Sequence, residues 1–101
     1  MRNNGLQQEV VTTYITAGDP PLTEIDNDDY NIRYYSILPC GNVNDTVTVE
    51  INGVSNVVLS MIGLTEMPIT SIQVTSVEDS SSTGVQKGLL VYGVKVYKSI
   101  F

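Results

Sequence analysis

The chain has 101 residues, 42% of them hydrophobic and only 16% charged, with a formal net charge of −6. That length makes one domain, able to bury roughly 65% of its unfolded surface around a single core. Five basic residues are too few for a phosphate backbone or an anionic membrane surface, so nucleic-acid and membrane partners are not expected. The eleven acids all precede Ser80, whereas Lys87, Lys95 and Lys98 follow it, so charge is lopsided along the sequence. With so few charges, much of the surface must be Thr, Ser, Asn, Gln and Gly. Such a surface suits contact with other proteins, although an ordinary neutral β domain would look the same.

Met1 to Gln8 is polar, with no signal-peptide core, and residues 1–8 are expected to form an extended arm. Glu9 to Ala17 is rich in β-branched residues and predicts a strand, ended by Gly18-Asp19-Pro20-Pro21. Residues 22–29 read as an acidic loop. Tyr30 to Leu38 predicts a second strand, with Tyr30, Ile32, Tyr34 and Leu38 on one face and Arg33, Tyr35 and Ile37 on the other. Pro39-Cys40-Gly41-Asn42 reads as a turn. Asn44-Asp45-Thr46 matches a glycosylation acceptor but is read as a pre-strand turn, since no secretory signal precedes it.

Thr46 to Ile51 alternates polar and apolar residues, then comes Asn52-Gly53, then Val54 to Leu59. Asn-Gly between two strand-like runs is the strongest local hairpin signal, because a type I′ turn needs positive φ at both central residues. A two-residue loop sets Ile51 against Val54, Val49 against Asn56 and Val47 against Val58. Val57 to Leu64 is apolar on both faces and reads as a strand inside a sheet, covered on both sides, until Glu66-Met67-Pro68 breaks it. Ile69 to Val77 predicts one further strand, with a bulge near Ser71 repairing its imperfect alternation. Glu78 to Gly84 reads as a long mobile loop and Leu89 to Phe101 as the last strand, with Tyr92, Val94 and Val96 facing away from Gly93, Lys95 and Tyr97. No stretch holds helical apolar spacing. About six strands with frequent turn signals indicate a single all-β domain over residues 9–101, a β-sandwich of jelly-roll or Ig-like type, with a small barrel as the alternative.

The absence of histidine removes Ser-His-Asp and Cys-His catalysis and histidine metal sites. Cys40 cannot form an internal disulfide, lies between Pro39 and Gly41, and has no candidate base. No catalytic or cofactor-binding residue is assigned. Glu24, Asp26 and Asp28 have the 1-3-5 spacing of an EF-hand loop, but Asp29 stands where that loop wants Gly and Tyr35 where it wants Glu. A calcium site built from several loops would draw on Glu24, Asp26, Asp28 and Asp29; otherwise the segment is a solvated acidic loop. Two of these acids could be imagined as a glycosidase pair, but a chain without Trp offers a poor sugar cleft. Six tyrosines stand against one Phe and no Trp, and Tyr combines an apolar body with a polar tip suited to interfaces. The candidate interface residues are Tyr30, Tyr34, Tyr35, Met61, Ile62, Tyr97, Ile100 and Phe101. Lys95 and Lys98 read either as edge charges that block aggregation or as contacts for an acidic partner.

The polar Asn/Gln arm after Met1, the Thr/Val strands Thr46–Ile51 and Ile69–Val77, the Ser80–Ser82 loop and the strand Leu89–Tyr97 give a chain that resembles the small virion proteins of tailed bacteriophages. These are the capsid decoration (cement) and head–tail or tail accessory proteins. The resemblance is one of style over the whole chain, carries no motif and transfers no functional residue. It implies a non-enzymatic virion protein, made in the host cytoplasm, often trimeric, that clamps neighbouring major capsid subunits and needs no cofactor. The other reading is a carbohydrate- or ligand-binding β-sandwich that uses Tyr30, Tyr34 or Tyr35 as a platform. On the assembly reading, deleting residues 1–8, or Ile100-Phe101, is expected to weaken association without unfolding the domain. Light scattering on a sizing column checks it.

Overall fold

Apolar–polar alternation along the nine strands of the described residues builds two antiparallel sheets packed face to face, a small β-sandwich and not a closed barrel. The computed structural model describes residues 7–61, 63–78 and 87–98. The strands are β1 (Gln7–Ile15), β2 (Leu22–Thr23), β3 (Ile25–Asp26), β4 (Tyr30–Cys40), β5 (Thr46–Ile51), β6 (Val54–Ser60), β7 (Thr65–Ile69), β8 (Ser71–Glu78) and β9 (Gly88–Tyr97). The larger sheet runs β1-β9-β4-β3, with β7 also on the outer edge of β4; the smaller runs β2-β8-β5-β6. Gln7 and Gln8, read from sequence as part of an arm, belong to β1 and pair with Tyr97 and Val96. The rest of that arm, the loop around Ser80–Gly84 and the end at Ile100-Phe101 lie outside the described residues.

The core is the seam between the inner faces. The smaller sheet contributes Val47, Val49 and Ile51 from β5 with Ile72 and Val74 from β8; the larger contributes Leu89 and Val91 from β9 with Tyr34 and Ile37 from β4. Tyr34 and Ile37 both point inward because β4 carries a register shift between Tyr34 and Ser36. Simple alternation had separated them and grouped Tyr34 with Leu38. One extra residue, Tyr35, returns Ile37 to the buried face opposite Val91. Gly93 makes the room that Tyr34 needs: a Cβ there would lie 2.7 Å from Tyr34 Cδ1 and 2.7 Å from the Arg33 carbonyl oxygen.

The β5–β6 hairpin turns through Asn52 (φ 51°) and Gly53 (φ 84°), both left-handed as a type I′ turn requires. Its register departs from the two-residue-loop expectation beyond the first pair. Ile51 faces Val54, but Val49 faces Val57 and Val47 faces Leu59. Ser55 and Asn56 together oppose Glu50, and Asn56 takes φ 60° to absorb the extra residue. Without this bulge Asn56 and Val58 would sit beside the core; with it Val57 and Leu59 pack there instead. β6 is the edge strand of its sheet and is exposed along one face (Val58 is 62% exposed), not a strand covered on both sides.

The expected single strand from Ile69 to Val77 is two. Pro68 does not break the chain, because β7 lies on a sheet edge, where a missing N–H costs nothing. At Thr70 the chain passes from the larger sheet into the smaller. Asn52 locks this crossing: its amide donates to the Pro68 carbonyl (2.9 Å), and its Oδ1 accepts from the Thr70 N–H (2.7 Å) and hydroxyl (3.0 Å). The register shift of β8 falls at Thr75, whose hydroxyl bonds the Thr48 carbonyl, and not near Ser71.

At one end of the sandwich Lys87 and Asp45, both buried, form an ion pair of 3.7 Å. Asp45 Oδ2 also accepts the Asn42 N–H at 2.7 Å, closing the turn before β5. Removing one partner leaves a buried charge with less compensation.

Two outcomes are expected in urea unfolding. Gly93→Ala should cost about 1–3 kcal/mol through overpacking. Lys87→Ala should cost about 3–5 kcal/mol. A third comparison isolates the crossing: Asn52→Gly keeps the turn conformation and loses only the side-chain bonds, so its destabilisation of about 1–3 kcal/mol should be smaller than that of Asn52→Ala, which loses both.

Candidate interaction surface

The larger sheet has two faces with different fates. Leu89 and Val91 face the core, so by alternation Leu90, Tyr92, Val94 and Val96 of β9 face outward. Val10 of β1 pairs with Val94 and is 67% exposed. On the other side of β9, Leu38 pairs with Leu90, and Ser36 with Tyr92. Among the described residues no strand lies over this outer face. Toward the β7 edge it dips into a groove lined by Tyr35, Ser36, Leu38, Leu64, Glu66 and Tyr92. Leu64 is 56% exposed and Tyr35 41%. The groove lies where β4 bulges at Tyr35 against β7, which pairs with β4 on both sides of the bulge, Tyr34 with Ile69 before it and Ser36 with Glu66 after it. Its chemistry is apolar and aromatic, with one carboxylate at the rim.

The far end of the inner face carries a second feature. Tyr30 and Tyr97, paired across β4 and β9, meet edge to face with centroids 6.3 Å apart. Lys95 lies over both rings, with Nζ 4.3 Å from the Tyr30 centroid and 4.7 Å from that of Tyr97. The Tyr97 hydroxyl donates to Glu9 at 2.6 Å, and Lys95 stands 4.0 Å from the same carboxylate. The bond to Tyr97, more than any nearby charge, holds the Lys95 ammonium above its ordinary pKa.

Nearby, Lys98 binds Asp26 at 2.8 Å and Arg33 binds Glu24 at 3.0 Å. Each of the four described basic side chains thus contacts a carboxylate within the chain. β9 is central and not an edge, so neither Lys95 nor Lys98 guards a free edge.

The residues singled out from sequence are scattered by this geometry. Tyr34 is a core residue at 5% exposure and so is not a surface platform. Met61 is half-buried and packs against the core, beside Gly41. Tyr30 and Tyr97 come together, and Tyr35 faces solvent beside the groove. Ile62, Ile100 and Phe101 lie outside the described residues. Of the acids considered for calcium, Glu24 and Asp26 are engaged by cations, and no group of three potential metal ligands occurs among the described residues. Leu38, Leu64 and Val10 were missed. Their signal was the double-sided apolar character of Leu89 to Val94, which marks a strand with something to cover on both faces.

No family model and no curated protein matches the chain. Fold and surface together define a class, an all-β sandwich with one apolar sheet face uncovered by its own described strands.

The Lys98 bond holds the Asp26 carboxyl below the usual carboxylate range. A depressed folded pKa contributes stability above the unfolded pKa, and that stability is lost as pH falls through the folded value. Asp26 is at the surface, so the contribution is small. NMR titration should show the Asp26 pKa rising toward its ordinary value in Lys98→Ala.

Proposed function

We propose that the chain is a non-enzymatic assembly protein that stabilises neighbouring subunits by covering and being covered, in the manner of the capsid decoration or virion accessory proteins it resembles. The observation that supports this reading is the apolar outer face of the larger sheet, which no described strand covers, centred on the groove between Tyr35, Leu38, Leu64 and Tyr92. A protein with few charges leaves such a face exposed at the risk of aggregation unless a partner occupies it. Docking of a neighbouring subunit there would bury about 800 Å² per partner in a standard contact. The shallow, apolar groove suits a protein surface better than a charged ligand.

The competing reading, a glycan-binding module, finds support in the Tyr30–Tyr97 pair. There Lys95 and Glu9 supply polar groups beside two aromatic faces. The two readings use opposite faces of one sheet and separate by mutation.

Co-sedimentation of the purified chain with emptied virion shells from its own source tests the first. Saturation at a fixed ratio to shell subunits, with shells that break at higher temperature, is the expected result. Leu64→Lys should reduce that binding at least about tenfold, and Tyr97→Ala should leave it unchanged. Absence of shell binding, together with glycan-array binding that Tyr97→Ala abolishes, would overturn the proposal in favour of the second reading.

A further inference from the structure

β-sheet edges invite pairing with other chains, and natural proteins blunt them. Four of the five described edge strands in this sandwich are blunted. β2 has two residues and follows Pro20-Pro21; β3 also has two residues. β7 carries Pro68. β6 is interrupted by its bulge, with Asn56 in the left-handed region.

β1 differs from all of them. It has nine residues, no proline, no basic residue and no left-handed φ, and it pairs with β9 without any register shift from Gln7 to Ile15. Its outer edge pairs with no described strand. The one charge on β1, Glu9, does not guard that edge. It is drawn toward β9, where the Tyr97 hydroxyl bonds it and Lys95 lies 4.0 Å away. In a chain of net charge −6, this is a stretch of edge whose carboxylate is already offset.

We propose that β1 pairs antiparallel with β1 of a second copy, joining the two larger sheets into one continuous sheet about a two-fold axis. The pairing that engages all nine residues is centred on Val11. It sets Glu9 against Thr13, Gln8 against Tyr14 and Val10 against Thr12, so no like charges meet. Identical faces fall on the same side, and the exposed Val10 of each copy joins the outer apolar face of its neighbour. The inference goes beyond the assembly reading and does not rest on it, since a glycan-binding module could dimerise in the same way. It names a two-fold dimer where the resemblance implies a trimer.

The size of the contact sets its strength. Nine residues make an edge about 30 Å long, and with a sheet about 10 Å thick the pairing covers on the order of 300 Å² per copy. Stable interfaces bury about 800 Å² per partner, so this dimer is reversible and concentration-dependent.

Sedimentation equilibrium of the full chain, from about 10 µM to 1 mM, should follow a monomer–dimer curve. Val10→Lys combined with Thr12→Lys opposes two ammonium groups in each of two symmetric rows, both at exposed positions. It should weaken dimerisation at least about tenfold with an unchanged circular dichroism spectrum. Should that variant misfold, hydrogen exchange of the unmodified chain decides. Amides of β1 should gain protection as concentration rises, whereas amides at the β6 edge should not. A monomer throughout the range, a trimer, a dimer indifferent to the double substitution, or protection that ignores β1 would each overturn the proposal. The assembly reading is tested separately by shell co-sedimentation, so either can fail alone.

Discussion

The ladder that β9 makes with β1 on one side and β4 on the other is the constraint on which the rest of the molecule hangs. β9 supplies Leu89 and Val91 to the core, Gly93 to the packing of Tyr34, and Lys95 and Tyr97 to the aromatic cluster. Its alternate residues supply the outer apolar face. β9 lies in the middle of its sheet, between β1 and β4, and its position fixes where its neighbours lie. β1 becomes an edge because β9 needs a second neighbour. β4 has to bulge because its pattern must match the Leu89–Val91–Gly93 row on one side while β3 and β7 share its other side.

Charge follows the same economy. Acids crowd the first eighty residues and most bases follow, yet the fold interleaves the two. β9 brings Lys95 beside Glu9, the residue just after it, Lys98, meets Asp26, and the residue just before it, Lys87, meets Asp45. The described cations therefore serve internal pairs. The proposed contacts with other proteins would then rely on apolar cover and backbone pairing more than on charge attraction.

Much of this was legible in the sequence. Asn52-Gly53 identified the hairpin turn, and the absence of helical spacing identified the all-β class. Strand positions came through for β1, β4, β5 and β9 because each carries a strong alternating or β-branched run. Bulges were not legible in the same way. A single extra residue at Tyr35, at Ser55-Asn56 or at Thr75 reverses every face beyond it, and its signal is only an alternation that fails locally. The crossing at Thr70 was hidden for a related reason: Glu66-Met67-Pro68 looks like a break unless the strand is known to be an edge. Tyr34 was mistaken for a surface residue because nothing local announces that Gly93, distant in sequence, leaves a slot for its ring. The groove was missed since it brings Leu64 and Glu66 beside Tyr35, Leu38 and Tyr92, residues of three different strands and a loop, which is a matter of tertiary pairing.

The distance along the chain between partners in the larger sheet has a consequence for synthesis. Glu9 and Tyr97, bonded across β1 and β9, stand 88 positions apart. At a translation rate of about 5–20 residues per second, β1 waits on the order of several seconds for the strand that will hold it. During that interval both sides of β1 and the β9 side of β4 are open, while the β5–β6 hairpin can close at once. Loop closure over so many residues makes the final docking of β9 a slow step as well. In the nascent chain β1 is thus the described strand that waits longest for its partner, and the polar Gln7, Gln8 and Glu9 at its start temper that exposure.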